Sequence, residues 1–213
     1  MTFTTPPCKF EGIENLENRF AYFKEKAIST YHYYSAFMAS VHAAEKLPHN
    51  IAFYAVSQKG IKFLWVLELV RLFDDHKDAI SVNKLLRICE QSFTKKDSCY
   101  DEIRKAVRQL QNELNDLNAI THNLNVMRDK ILAHNDKKST TKTNFDKLIE
   151  DYPLKHEDGE KLTDYLMAVV NTLNLHLYGV GEMKINLPPY EWELSKIVDA
   201  LNNSRQNVED AKV

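Results

Sequence analysis

Apolar side chains recur at steps of three and four residues along most of this chain, and this periodicity constrains the fold more than any other feature. A repeat of about 3.6 residues is typical of an amphipathic helix with one face in a core. From Ile13 to about Lys46 the recurring residues include Leu16, Phe20, Phe23, Ala27, Tyr31, Tyr34 and Met38. The sequence therefore predicts one long helix over the first part of the chain.

The same spacing predicts further helices, whose limits are marked by capping residues. They begin after Asn50, at Ser81 and near Tyr100, Gly159 and Trp192. The helix from Tyr100 continues or restarts and ends near His134, and Gly179 stops the helix that begins near Gly159. Gly60 interrupts the second apolar run and indicates a kink or a close packing contact.

The scarcity of turn-forming residues supports an all-helical fold. The chain has 5 glycines and 6 prolines in 213 residues, whereas a sandwich or barrel needs many tight turns. We therefore predict an all-α protein with an N-terminal arm over residues 1–12 and a helical domain over 13–182. Residues 183–213 form a C-terminal helical extension that packs on or flanks this domain.

Charge and cysteine content exclude several classes of protein. The net charge is −2, so any contact with nucleic acid must be local. Cys8, Cys89 and Cys99 are odd in number and lack metal-ligand spacing, so neither a disulfide framework nor a zinc site is indicated, and we expect no metal or cofactor. No stretch approaches the roughly 18 apolar residues of a membrane span. We expect a soluble, cytoplasmic protein without membrane contact.

The segment from Arg128 to His134 combines two groups suited to phosphodiester chemistry. The guanidinium fork of an arginine matches a phosphate, and a histidine titrates near neutral pH. Cleavage of RNA requires that a 2′-hydroxyl lose a proton, that the leaving 5′-oxygen gain one, and that charge on the phosphorus be stabilised. Arg128 and His134 could do this without a metal, with Asp129 orienting either group.

Helical geometry places Arg128 and His134 on different faces of one helix. Six residues at about 100° each leave the two side chains about 120° apart. Two copies of the segment about a twofold axis could instead bring Arg128 of one protomer to His134 of the other. The spacing therefore suggests a homodimer with a composite site. The alternative from the residues alone is an Arg128 paired with Asp129 or a distant carboxylate, beside a histidine that caps the helix.

Other aromatic and histidine side chains have simpler interpretations. His32, His42, His76, His156 and His176 read as solvated or satisfied groups, with His156 in a loop, and His122 could approach Arg128. A cluster formed by Tyr31, Tyr33 and Tyr34 could stack on bases, but packing between helices is the preferred interpretation.

An arginine followed by an aspartate, then four residues and a histidine at a helix end, resembles the motif of the HEPN ribonuclease superfamily. That motif is Arg, four to six residues and His, commonly with Asn, Asp or His after the Arg. The segments 67–74 (LELVRLFD) and 80–86 (ISVNKLL), together with Arg128-Asp129-Lys130 and Ala133-His134, are similar to the AbiU-like, abortive-infection branch. Together they cover roughly residues 15 to 180.

This resemblance implies a HEPN-like bundle of four to five main helices with additional short helices, a homodimer, and metal-independent RNA cleavage that leaves 2′,3′-cyclic phosphate ends. It also implies a role in phage defence or as a toxin with an antitoxin partner. By the roles of the family, Arg128 would bind the scissile phosphate, His134 would act as general acid or base, and Asp129 would position them.

Two further points concern the residues around His134. Many HEPN toxins paired with nucleotidyltransferase antitoxins carry a tyrosine two residues after the histidine, where this chain has Asp136, so regulation through that tyrosine is not implied. Candidate RNA-binding lysines are Lys130, Lys137, Lys138, Lys142 and Lys147. The alternative function is a non-catalytic dimeric module that binds RNA, a nucleotide or a partner protein.

Overall fold

A computed structural model describes residues 14–47, 52–74, 80–97, 99–129, 150–153 and 155–210. Within these ranges the chain forms seven helices and no strand, which confirms the predicted all-α, HEPN-like bundle. The helices are α1 (Glu14–Ala44), α2 (Ala52–Leu72), α3 (Val82–Ser92), α4 (Tyr100–Asp116), α5 (Asn118–Met127), α6 (His156–Tyr178) and α7 (Tyr190–Asp210). None of the described helices is long and apolar enough to cross a membrane.

Helix α1 is the central element, since it contacts α2, α3, α6 and α7. Its predicted apolar stripe is buried through Leu16, Phe20, Phe23 and Ala27. Helices α2, α4 and α6 complete the core, with Trp65, Leu69, Ile103, Val107, Leu162, Leu166 and Val169 among their buried side chains. Burial of large apolar side chains supplies roughly 1.5–3 kcal/mol each, so these contacts fix the relative positions of the helices.

Several predicted helix limits agree with the structure. Ser81 caps α3, where its hydroxyl accepts a hydrogen bond from the Lys84 backbone N–H. The predicted helix from Tyr100 restarts: α4 ends at Asp116 and α5 begins at Asn118. Gly179 ends α6 with φ 65°, a left-handed conformation that favours glycine. The predicted cap at Asn50 and the predicted helix end near His134 lie outside the described residues.

Three local predictions need correction. Helix α2 runs unbroken through Gly60, and a Cβ there would meet no atom within 4 Å, so neither a kink nor close packing within the described chain explains this glycine. His156 is not in a loop, because it begins α6. Cys99 is disulfide-bonded, which the cysteine spacing did not predict, whereas Cys89 is a free thiol in the core.

The apolar residues of α2 divide into a buried and an exposed half. Leu69, Val70 and Leu72 are buried, but Phe53 and Val56 are 81% and 68% exposed. The buried half fixes the C-terminal end of α2, and the chain leaves this end towards Asp74.

Helix α7 lies against α1. The Tyr190 hydroxyl lies 3.1 Å from His32 Nδ1, and a Glu191 carboxylate oxygen lies 3.3 Å from His42 Nδ1. The division into arm, domain and extension at residues 12 and 182 stays a prediction.

Candidate active site

Buried anchors position the two chain segments that meet at Arg128. Helix α2 ends at Leu72, and the buried Leu72 and Phe73 hold the following residue, Asp74, at the rim of the core. On the other segment Leu124 is fully buried one turn before Arg128. Packing of these apolar side chains brings Asp74 and Arg128 together although 54 positions separate them.

Arg128 is held by carboxylates at two of its nitrogens. Its Nη1 lies 2.5 Å from an Asp74 carboxylate oxygen, and its Nε donates to an Asp129 carboxylate oxygen at 2.7 Å. The Arg128 side chain is 24% exposed, so solvent and ligands still reach it. A guanidinium has five N–H donors in one plane. The two carboxylates fix that plane, and among the described residues no further partner of the guanidinium is recorded.

The guanidinium of Arg128 stays protonated at any pH near neutral. The hydrogen bond to Asp129 raises its pKa, and the hydrogen bond to Asp74 acts in the same direction, while partial burial opposes them. The net shift is upward from a value that is already far above neutral. The side chain therefore offers a permanent positive charge at a fixed position.

The backbone at this site is also unusual. Arg128 and Asp129 follow α5 in a wider, π-type helical turn. Such turns are rare and occur frequently at functional sites. Within this turn, Asp129 contacts the Nε of its neighbour, while Nη1 faces Asp74.

The structure describes only part of the predicted site. Arg128 and Asp129 lie together as expected from their adjacency, whereas His134 lies outside the described residues. The same holds for the predicted RNA-binding residues Lys130, Lys137, Lys138, Lys142 and Lys147. Their roles stay predictions.

Asp74 is a site residue that sequence reasoning missed. It belongs to the segment 67–74 that carried part of the family resemblance, but no role was assigned to it. The available signal was an acidic residue placed directly after the buried pair Leu72-Phe73 at the end of a helix. Nothing local indicated that its partner would be Arg128.

The other predicted candidates lie elsewhere. His122 is exposed and its ring packs against Tyr152 at 6.0 Å, with no contact to Arg128 recorded among the described residues. Tyr34 packs on Trp65 at 5.2 Å between ring centroids and donates a hydrogen bond to Glu160, which is the packing role that we preferred.

His156 has an enclosed aromatic environment. Its ring centroid lies 5.9 Å from that of Tyr34 and 5.4 Å from those of Phe37 and Trp65. The Nε2 atom lies 2.8 Å from the sulfur of Met38, and the buried Nδ1 has no hydrogen-bond partner. These contacts fit a packing role.

Burial also affects His176 of α6, whose pKa it lowers, although Glu102 acts in the opposite direction. Among the described residues, no group of three or more histidine, cysteine and acidic side chains is arranged to hold a metal ion.

Comparison with known families gives one match. The family model HEPN_AbiU2, described as AbiU2, matches residues 13–200, which include both Asp74 and Arg128. No curated protein and no solved structure shows a significant match. The matched range covers far more than half of the chain, and the resemblance seen in the sequence is confirmed.

Proposed function

The chain belongs to the AbiU2 family of HEPN domains, and on this premise we propose that it is a metal-independent endoribonuclease. The biological role that we propose is phage defence by abortive infection, or the toxin of a toxin–antitoxin pair. The observation that carries the proposal is the guanidinium of Arg128, oriented by Asp74 and Asp129 and still partly exposed.

Arg128 is suited to bind the scissile phosphate. Charge-assisted hydrogen bonds from a guanidinium to phosphate oxygens are short, strong and directional. Because two carboxylates already fix the guanidinium plane, little reorganisation is needed when a phosphate arrives. The donors then stabilise the additional negative charge that develops on the phosphate oxygens.

The proposed reaction needs one further group, which we assign to His134. The 2′-oxygen loses its proton and bonds to phosphorus, the bond from phosphorus to the 5′-oxygen breaks, and the 5′-oxygen takes up a proton. A histidine exchanges protons near neutral pH and can serve as the acid or the base. The products are a 2′,3′-cyclic phosphate and a free 5′-hydroxyl. Lys130, Lys137, Lys138 and Lys142 would hold flanking phosphates.

The cleavage test uses purified protein and labelled RNA in EDTA. We expect wild type to cut, and Arg128→Ala and His134→Ala to be slower by about 100-fold or more. Arg87→Ala and His42→Ala are matched controls, because both side chains are exposed and distant in sequence from the motif. No cleavage by wild type, or equal cleavage by all variants, would contradict the proposal.

We also propose that the site is shared between two protomers. Co-expression of Arg128→Ala and His134→Ala subunits tests this, because a heterodimer with composite sites contains one intact site and one doubly substituted site. We expect the mixed dimer to recover cleavage that each variant lacks alone. If cleavage is not recovered although mixed dimers form, each site belongs to a single chain.

A second function is favoured by the same contacts. The Asp74–Arg128 pair would also suit a dimer groove that binds RNA, a nucleotide or a partner protein without chemistry. Mass spectrometry of RNA incubated with the protein separates the two functions. Cyclic phosphate ends that are absent with His134→Ala support the nuclease, whereas binding without new ends supports the binding module.

A further inference from the structure

A cleft of about 460 Å³ lies between α1, the end of α2 and the chain before α3. This volume is within the usual range for small-ligand sites. Its polar lining comes from Tyr22 and Lys26 of α1, from Glu68 and Arg71 of α2, and from Asp74. Of the proposed site residues that the structure describes, Asp74 lines this cleft, and Arg128 and Asp129 do not.

Asp74 connects the cleft to Arg128. Its carboxylate lines the cleft and also pairs with the Arg128 guanidinium at 2.5 Å. A molecule in the cleft would therefore lie directly beside a phosphate bound at Arg128. The apolar residues Leu72 and Ile80 form part of the same wall.

The lining has the groups that bind a nucleotide. Tyr22 is 46% exposed, so its ring can receive a base. The Lys26 ammonium lies 5.5 Å from the centroid of that ring, and the Arg71 side chain is 59% exposed. Each lining carboxylate is paired with an arginine, Glu68 with Arg71 at 2.9 Å and Asp74 with Arg128. The Lys26 ammonium pairs at 3.4 Å with Glu25, which lies outside the lining and is 69% exposed, and a pair of this kind is weak enough to open to a phosphate.

Glu68 supplies an independent observation. Its side chain is only 12% exposed, and its Oε2 atom is buried without a hydrogen-bond partner. An unsatisfied buried acceptor is costly and is usually relieved by a donor. The N–H groups on the edges of nucleobases and the ribose hydroxyl are donors of this kind.

We propose that this cleft binds one nucleotide of single-stranded RNA next to the phosphate at Arg128. The base stacks on Tyr22, and an N–H group on its edge donates to Glu68 Oε2. Lys26 and Arg71 contact the adjoining phosphate. This inference rests on the proposed function, because it assigns the flanking part of the same RNA.

The test measures binding separately from cleavage. The probe is a fluorescein-labelled single-stranded RNA with 2′-O-methyl groups throughout, which lacks the nucleophile and cannot be cut. We expect Tyr22→Ala to raise its Kd about tenfold, as loss of base stacking does. Tyr22→Phe should stay within about twofold, since the ring face remains. Lys26→Ala should weaken binding and lower the salt dependence by about one phosphate contact.

Matched controls lie on other helices, outside the lining of the cleft. Trp192→Ala removes an exposed aromatic ring from α7, and Lys161→Ala removes an exposed lysine from α6. Both should bind the probe as wild type does. Thermal unfolding of every variant confirms that the fold is retained. In the cleavage assay Tyr22→Ala should raise KM and leave kcat nearly unchanged, whereas Arg128→Ala lowers kcat.

The outcomes for the subsite and for the nuclease differ. If Tyr22→Ala and Lys26→Ala bind the probe as tightly as the controls, or if wild type does not bind it, the subsite is refuted. If wild type cuts RNA and Arg128→Ala does not, while Tyr22→Ala keeps its KM, the nuclease stands without the subsite. If binding depends on Tyr22 and Lys26 but RNA stays intact, the subsite stands and the nuclease fails.

Discussion

Two regions of this molecule place an ionisable side chain near helix α2, and they do so in opposite ways. At the C-terminal end of α2, Arg128 pairs with Asp74 and Asp129 at a partly exposed surface. In the middle of α2, the Trp65 ring packs against His156, which Tyr34 and Phe37 also contact. The first region presents fixed charge to solvent, and the second encloses a histidine among aromatic rings.

The comparison shows what separates a candidate site from a packing cluster. Trp65 is 2% exposed and donates a hydrogen bond to Thr163, and a Cβ at Gly159 would lie 2.6 Å from its ring. No space for a ligand remains against that ring. Around Arg128, by contrast, a fixed cation borders a cleft through Asp74. Partial exposure and fixed geometry mark the candidate site, and the presence of a histidine does not.

The largest expected effect is on stability and belongs to the aromatic cluster. Trp65→Ala removes a large buried side chain and should lower the free energy of unfolding by about 3–5 kcal/mol. Arg128→Ala breaks a partly exposed ion pair and should cost about 1 kcal/mol or less. Urea unfolding followed by circular dichroism measures both values.

Trp65→Phe is a second variant, for the case in which Trp65→Ala does not fold. It keeps a ring in the cluster but loses the hydrogen bond to Thr163, so its loss of stability should lie between those of the other two variants. If Arg128→Ala destabilises the protein as much as Trp65→Ala does, Arg128 is a structural residue and the contrast between the two regions is wrong.

The sequence predicted the helices well because the information is local. The stripe from Leu16 to Ala27, the cap at Ser81 and the stop at Gly179 each depend on residues within a few positions of one another. The exposed half of α2 shows the limit of this reasoning. Around the helix, Phe53 and Val56 lie about 120° and 180° from the buried Trp65, and periodicity does not say what covers their face.

The site was predicted less completely because its contacts are distant in the chain. Arg128 and Asp129 were identified from a short motif, whereas Asp74 joins them only through the core, in which Leu72, Phe73 and Leu124 are buried. His156 was misplaced for a related reason. It is flanked by the charged residues Lys155 and Glu157, and the rings that enclose it come from α1 and α2.

An intermediate effect on cleavage is expected from variants that keep Arg128 but change a carboxylate that orients it. Asp74→Asn removes the charge that orients Nη1, and we expect kcat for RNA cleavage to fall about tenfold. Asp129→Asn should have a smaller effect, because that side chain is 52% exposed and less constrained. Stability should change by less than about 1 kcal/mol in both variants.

Single-turnover cleavage separates this positioning role from a general loss of structure. Asp74→Glu keeps the charge and should recover part of the lost kcat, and the exposed Asp116→Asn serves as the matched control. If Asp74→Asn cuts RNA as fast as that control, Asp74 does not orient Arg128 for chemistry. The candidate site then consists of the motif residues Arg128, Asp129 and His134.

The smallest expected effect is a pH response that distinguishes the aromatic cluster from the Arg128 site. Burial raises the pKa of the Tyr34 hydroxyl, and its hydrogen bond to Glu160 adds to the shift. The folded protein therefore keeps this proton at pH values where the unfolded chain, with a tyrosine pKa near about 10, releases it. The contribution of Tyr34 to the free energy of unfolding is complete below about pH 10 and decreases as the pH rises above it.

Urea unfolding from pH 8 to 11 should show a smaller decrease in the free energy of unfolding for Tyr34→Phe than for wild type. Tyr33→Phe, on the same helix, is the matched control. Arg128→Ala should keep the wild-type decrease, because the guanidinium stays charged throughout this range. An equal decrease in wild type and Tyr34→Phe would show that the Tyr34–Glu160 contact contributes nothing to the pH response.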